Sequence, residues 1–304
     1  MRIDQDLEVF KQTVLSKSEK LFVLSTYFSS KQDPVRGGYQ DSDNFGYIEN
    51  WYHSVLEHGL WAVVFYDKLS AGFIERYQTE KIIFIKCRLG GMSLNDERFF
   101  IYKEFIPHLP ENAYVLTTDI NDVVINKNPL SLLQRSPDKL FLGRGNRRVW
   151  KNGIWLLSSL KQFSNKYNQS LPISFFHYPV FNPGTIGGRK EKVTELFTKM
   201  IQVFQVLGDD KNYDMPVFNY VLKEYYYPKT NRVDGKIPFG LAWNFWFYAY
   251  RIQRKLESEY KKEKYDLVTH QESVVENNKI VAGYPFVSMF SWYENPSEAY
   301  LIHK

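Results

Sequence analysis

"AYVLTTDINDVVINKNP", residues 113–129, sets the frame for the whole chain. An apolar run, Tyr114-Val115-Leu116, leads into Thr117, Thr118 and Asp119. Asp122 stands three residues on, and a second apolar run, Val123-Val124-Ile125, follows. In a strand, side chains three apart point to opposite faces, so these carboxylates converge only if the chain turns between them. Asn121-Asp122 supplies the turn chemistry, because both side chains bond readily to their own backbone. The stretch reads as a buried strand over 113–119, then a turn that returns Asp122 to the side of Asp119.

Working outward, similar runs recur. "LFVLSTYF" (21–28), "WAVVFYD" (61–67) and "KIIFIK" (81–86) are apolar without polar alternation. Helical spacing lies between them, over 45–59, closed by Gly59, and over 95–109, opened by Asn95-Asp96. Further helices are expected over 4–16, 149–167, about 189–207 and 212–226, with a short strand at 139–143. "HYPVFNPGTIGGRKEKV" (177–193) reads as a Pro/Gly-rich turn entering the 189–207 helix. Strands apolar on both faces and separated by helices predict an α/β fold, a mostly parallel sheet flanked by helices. Ligands of such sheets bind outside the carboxyl ends of the strands, and Asp67 and Asp119 each close a predicted strand. With no repeat or low-complexity linker, a single domain over 1–304 is expected, its second half less regular than its first.

The bulk numbers narrow the function classes. The chain has 304 residues, enough for a sizeable core. Aromatic residues reach 17%, which fits aromatic-lined clefts and excludes a disordered chain. A net charge of +5 suits an anionic ligand but is too small and too spread to indicate nucleic-acid binding. The lone cysteine, Cys87, permits neither a disulfide framework nor a cysteine metal site. The N-terminus lacks the apolar core of a signal peptide, and no run of membrane-spanning length occurs, so a cytoplasmic location is expected. The segment 243–265 reads either as an amphipathic helix at a membrane interface or as a core-facing aromatic stretch followed by a solvated helix. Its mixed charges favour the second.

Two carboxylates and an amide at a sheet edge form a hard-oxygen site of the kind Mg²⁺ or Mn²⁺ prefers. By spacing alone, the pair also reads as a turn cap and a solvated loop residue. Neither a dinucleotide fingerprint nor a P-loop is present.

"VLTTDINDVVINKNP" resembles the Asp-containing metal motif of GT-A-type glycosyltransferases, which use nucleotide-sugar donors. The spacing here is Asp119-x-x-Asp122, with Asn128-Pro129 at the expected distance and Ile120 where a strict Asp-x-Asp motif has an acid. Other segments are similar to the same family. In "NDERFFIYKEFIPHL", Arg98 matches a residue that contacts the nucleotide. "FNPGTIGG" (181–188) matches a turn lining the donor-sugar and acceptor pocket. "DKNYDMPVFNYVL" (210–222) matches a helix start whose acid faces the sugar. "DLVTHQ" (266–271) is similar to the stretch carrying a late histidine on the metal and diphosphate.

The resemblance implies a GT-A-like, Rossmann-type fold, with a nucleotide-binding half over about 1–130 and an acceptor and donor-sugar half over about 131–304, and roles for particular residues. Asp122 and His270 are metal ligands, with Asp119 on the metal or the ribose. Asp214 and Asn182 line the sugar pocket, and Asp214 serves the donor hydroxyls or acts as base. Thr26 and Tyr27 grip the base and ribose, with Tyr27 stacking on the base. Asp67, Arg98, Arg144, Gly184 and Gly187 complete the donor site. The implied activity is transfer of a sugar from a UDP- or GDP-sugar to a hydroxyl, on a glycan or glycoconjugate, with Mn²⁺ or Mg²⁺. The rival readings are a metal-dependent phosphohydrolase or nuclease and a non-catalytic nucleotide- or glycan-binding module.

Overall fold

A computed structural model describes residues 2–3, 10, 19–135, 137–148, 153–168, 171–172, 179–208, 211–226, 236–237, 267–268, 275–276, 279–280, 286–287 and 300–303. Strands β1 (Leu21–Tyr27), β2 (Trp61–Tyr66), β3 (Ile82–Lys86) and β4 (Tyr114–Thr118) form where the unbroken apolar runs fall. They are parallel, in the order β3-β2-β1-β4. Their burial explains their composition: β2 is buried at every position, and β1 at all but one.

Alternate side chains of β1 feed two different cores. Phe22 and Leu24 pack into one cluster, with Phe99 and Tyr102 of a helix over Leu94–Phe105. Leu21, Val23 and Tyr27 enter the other, with Trp51 and Val55 of α1 (Glu49–Glu57) and Phe73 of α2 (Ala71–Tyr77). A strand that feeds a core on each face has no position for a polar side chain to reach water, hence the continuous apolar runs. The Leu94–Phe105 helix, α3, begins where Ser93 accepts a hydrogen bond from the Asp96 amide, at 3.3 Å. Gly59 adopts φ +61° after α1, closing that helix as expected. The α2 helix is additional to the sequence expectation. Its Ser70 cap accepts from the Phe73 amide at 3.1 Å.

Beyond β4 the chain becomes mixed. After β5 (Val123–Ile125), α4 (Leu130–Arg135), β6 (Leu140–Arg148) and α5 (Gly153–Tyr167) comes a strand, β7, over Pro179–Arg189. The Pro/Gly-rich segment expected to be a turn is thus an eleven-residue strand. It runs antiparallel to both β4 and β6 and lies between them. Its glycines serve close approach: a Cβ on Gly188 would lie 3.2 Å from the Lys139 carbonyl, and one on Gly143 of β6 only 2.3 Å from Thr185 Oγ1. Helices α6 (Lys190–Leu207) and α7 (Asp214–Tyr225) follow, within a residue or two of expectation. A final strand, β8 (Leu301–His303), runs antiparallel to β5 and pairs His303 with Val123. Of the expected 4–16 helix, only Phe10 is described, and it is helical. The segment 243–265 and His270 lie outside the described residues. No helix among the described residues is long and apolar enough to cross a membrane.

Candidate metal centre and ligand cleft

The Asp119–Asp122 turn sits at the carboxyl edge of β4, held from several sides. Ser25 Oγ donates to the Thr118 carbonyl at 2.7 Å, and Trp51 Nε1 donates to Thr118 Oγ1 at 2.8 Å. Asp119 N extends the β4–β7 ladder by donating to the Gly184 carbonyl at 2.8 Å. Ile120 then turns inward and is 2% exposed, in the same cluster as Trp51. That apolar anchor explains the residue that separates the two acids. Ile120 is thus pinned to the core, while Asp119 and Asp122 both line the cleft.

His303 joins them through the β5–β8 ladder. Its Nε2 lies 3.4 Å from Asp119 Oδ2 and 3.3 Å from Asp122 Oδ1. One ligand atom from each of the three residues lies within 4.8 Å of the others. Adjacent ligands of an octahedral Mg²⁺, bonded at about 2.1 Å, stand about 3 Å apart, close to the 3.3 and 3.4 Å that separate His303 Nε2 from the two carboxylates. The two carboxylates keep 24% and 21% side-chain exposure, so the open side of the triad faces the cleft. His303 itself is 3% exposed, with Nδ1 buried.

Gly184 completes this packing. A Cβ there would fall 2.3 Å from His303 Cε1 and 2.5 Å from Asp119 Oδ2. The approach is made possible by a bulge: the β6–β7 register slips between Leu142/Ile186 and Gly143/Asn182. Asn182 Oδ1 accepts from the Gly184 amide at 2.9 Å inside that bulge. The departure from regular pairing pushes β7's backbone against the carboxylates.

A buried arginine ties the triad to α7. Arg98, 7% exposed on α3, hydrogen-bonds Asp119 through Nη1 and reaches Asp214 Oδ2 at 3.2 Å through Nη2. Burial pushes the Asp119 carboxyl up, but Arg98 and then His303 outweigh it and hold it below the usual carboxylate range. Burial lowers the His303 imidazole, and the hydrogen bond to Asp122 with both carboxylate charges raises it above the usual value. Asp214 is raised by burial, with Arg98 opposing. Asp96 anchors the start of α7 by accepting from the Tyr213 amide at 3.2 Å. Burial, and then the Asp214 charge, lift its carboxyl to about 8.

These groups surround a cleft of about 530 Å³. Thr26, Arg98, Asp119, Asp122, Asn182 and Asp214 line it, so the structure gathers six of the residues singled out from sequence. Gly184 lies behind the acids. Others stand elsewhere. Tyr27, expected to stack on a base, has its ring buried in the core, and its hydroxyl donates to the Asn44 carbonyl at 3.2 Å. Burial raises that hydroxyl to about 12. Its neighbour Tyr47, with ring centroids 4.9 Å apart, is the tyrosine that lines the cleft. Asp67 caps the loop after β1, accepting from the Ser29 and Ser30 amides at 2.8 and 3.1 Å, and is not among the lining residues. Gly187 sits within the sheet between Leu116 and Phe141, and Arg144 lies in β6 opposite Phe181.

His303 and Arg36 were missed by sequence reading. His303 stands after a short apolar stretch, "AYLIH", whose pairing with β5 is a long-range event with no local signal. Arg36 lies in a polar loop whose composition gives no direction for its side chain.

No family model matches this sequence, and no curated protein matches it. Solved structures do. The structures it is similar to include glycosyltransferases. The galactosyltransferase LgtC, in complex with donor and acceptor sugar analogues, is 14% identical, with a TM-score of 0.39 over 65% of this chain and 69% of that one. The apo form of the glycosyltransferase GlyE from Streptococcus pneumoniae TIGR4 is 13% identical, with a TM-score of 0.43 over 79% of this chain and 53% of that one. Mouse xyloside xylosyltransferase 1 is 12% identical, with a TM-score of 0.38 over 68% of this chain and 82% of that one. The fold itself is a mostly parallel sheet flanked by helices. The chemistry of this chain is read from its own residues.

Proposed function

We propose that this chain is a metal-dependent glycosyltransferase that moves a sugar from a nucleotide-sugar donor to a hydroxyl of a glycan or glycoconjugate. The observation that carries the reading is the Asp119–Asp122–His303 triad at the mouth of a cleft that Asn182 and Asp214 also line. Asp119, Asp122 and His303 would hold Mn²⁺ or Mg²⁺. When bound, such an ion supplies positive charge to the diphosphate as the sugar–oxygen bond breaks.

The remaining roles belong to the chain's own residues. Arg98 orients Asp119 toward the cleft and balances its charge. Asp214, held by Arg98 and by the Met215 amide at 2.7 Å, presents its carboxyl to hydroxyls of the donor sugar, and Asn182 lines the same cleft. Tyr47 and Thr26, which both line the cleft, would meet the base and the ribose. In the transfer, the bond from the sugar's anomeric carbon to the diphosphate oxygen breaks. A bond to the acceptor oxygen forms, and the acceptor hydroxyl releases its proton. The donor is a UDP- or GDP-linked sugar.

Thermal-shift measurements with UDP, GDP and their sugars, with and without Mn²⁺, test the reading. Stabilisation by at least one nucleotide that depends on Mn²⁺ is expected. The Asp122→Ala variant should lose that dependence and any donor turnover. No metal-dependent stabilisation by any nucleotide, or unchanged turnover in Asp122→Ala, would sink the proposal.

A further inference from the structure

A diphosphate entering this cleft meets the carboxylates of Asp33, Asp119, Asp122 and Asp214. Beyond any metal ion, it needs a cation able to turn toward its oxygens. The basic side chains among the described lining residues are Arg36, Arg98 and His303. Arg98 is buried, and its two terminal nitrogens are held by Asp119 and Asp214. His303 is buried, with Nε2 facing both acids of the triad. Arg36 differs from both, with half of its side chain, 51%, exposed.

Its guanidinium lies over the Asn121–Asp122 turn. Nη2 is 3.2 Å from Asp122 Oδ2, and Nη1 is 3.4 Å from Asp33 Oδ2. With its amide oxygen turned to Arg36, Asn121 accepts from Nη1 and Nη2 at 3.0 and 2.8 Å. The planar fork thus already rests on oxygens beside the metal triad. Two phosphate oxygens match the same fork.

The loop that carries Arg36 is closed by its own backbone. Asp33 N donates to the Gly38 carbonyl at 2.8 Å, and Gly37 N donates to the Asp33 carbonyl at 3.0 Å. Asp33 Oδ1 accepts from the Val35 and Arg36 amides at 2.8 and 3.0 Å. Gln32 and Tyr39 pair across its base, and Gly37 and Gly38 take φ of 67° and 92°. None of these bonds uses the guanidinium, so the loop holds its shape while the side chain moves.

Resting on the metal-centre reading above, we propose that Arg36 is a diphosphate-binding residue of this cleft. Its guanidinium passes from Asp122 and Asn121 to phosphate oxygens when a nucleoside diphosphate enters. The same contact also shields Asp122 from a metal ion while the cleft is empty of phosphate.

Calorimetric titration of the full chain separates these effects. Inorganic pyrophosphate in the presence of Mn²⁺ should bind Arg36→Ala about 10- to 100-fold more weakly than wild type, the range of a charged hydrogen bond. Arg36→Lys, a point charge without the fork, should fall between them. Mn²⁺ alone should bind Arg36→Ala as tightly as wild type or more tightly, because Asp122 loses a competing cation. Unchanged pyrophosphate affinity in Arg36→Ala would overturn the proposal. So would parallel weakening of Mn²⁺ and pyrophosphate, which would make Arg36 a structural support of the turn. If wild type binds neither probe, the metal-centre reading itself fails and this proposal falls with it.

Discussion

The two walls of the cleft are built in opposite ways. One wall comes from the end of β1 and the connection from β1 to α1: Thr26, the Asp33–Gly38 loop and Tyr47. Its backbone loop is closed by local bonds, such as those of Asp33 to residues two to five positions on, and Arg36, which reaches across to Asp122, stands half-exposed. The other wall joins segments far apart in the chain: Arg98 of α3, Asp119 after β4, Gly184 of β7, Asp214 of α7 and His303 of β8. Here the groups are mostly buried, and each fixes the next. A local, solvated wall can move to meet a ligand. A wall assembled from distant pieces in low dielectric holds charges in place, because any unpaired partner there is costly.

This contrast can be broken most severely at Gly184. The Gly184→Ala methyl would meet the side chains of His303 and Asp119 at less than contact distance. Mn²⁺ affinity should fall by about 10- to 100-fold, as when a support of metal ligands is lost, and isothermal titration would read it. Wild-type affinity in Gly184→Ala would mean that this wall is looser than described.

A smaller effect is expected at Asn219, which ties α7 to β7 beside Asn182. Its side chain accepts from the Phe181 amide and donates to the Phe181 and Met215 carbonyls, all at 2.9 Å. Asn219→Ala would strand buried backbone groups at a cost of about 3 kcal/mol, measurable by urea unfolding. A loss no larger than that of an exposed-loop substitution would contradict the picture of a locked wall.

The mildest effect concerns pH. Asp96 has a folded value of about 8 against an ordinary 3.8. The folded state therefore prefers its protonated form. Its contribution to stability is fully present below about 4 and is lost as pH rises through about 8. An asparagine side chain in its place would not titrate and could still accept from the Tyr213 amide. Asp96→Asn should thus show a flatter fall in melting temperature than wild type between pH 5 and pH 8. Parallel curves for the two proteins would remove Asp96 from this account.

Legibility followed the same division. Strands β1 to β4 and helix α3 were readable because each buries both faces or one stripe within a single segment. The Asp119–Asp122 turn was readable because Asn-Asp chemistry acts over adjacent residues. Tyr27 and Tyr47 were not distinguishable: which of two neighbouring tyrosines faces a cleft depends on the partner helices, not on either residue. Segment 179–189 misled because Pro and Gly normally break structure. Here the glycines admit a strand between two closely spaced neighbours, and only the neighbours reveal that need.

The sequence by itself determined an α/β chain with carboxylates at the edge of a parallel sheet, because hydrophobic periodicity and turn chemistry act over a few residues. Tertiary structure alone decided that Ile120 faces inward, that β7 bulges to bring Gly184 against Asp119, and that His303 arrives opposite Val123. Those placements come from burial and backbone pairing between segments as much as 180 residues apart, as from Val123 to His303, and no local signal encodes them.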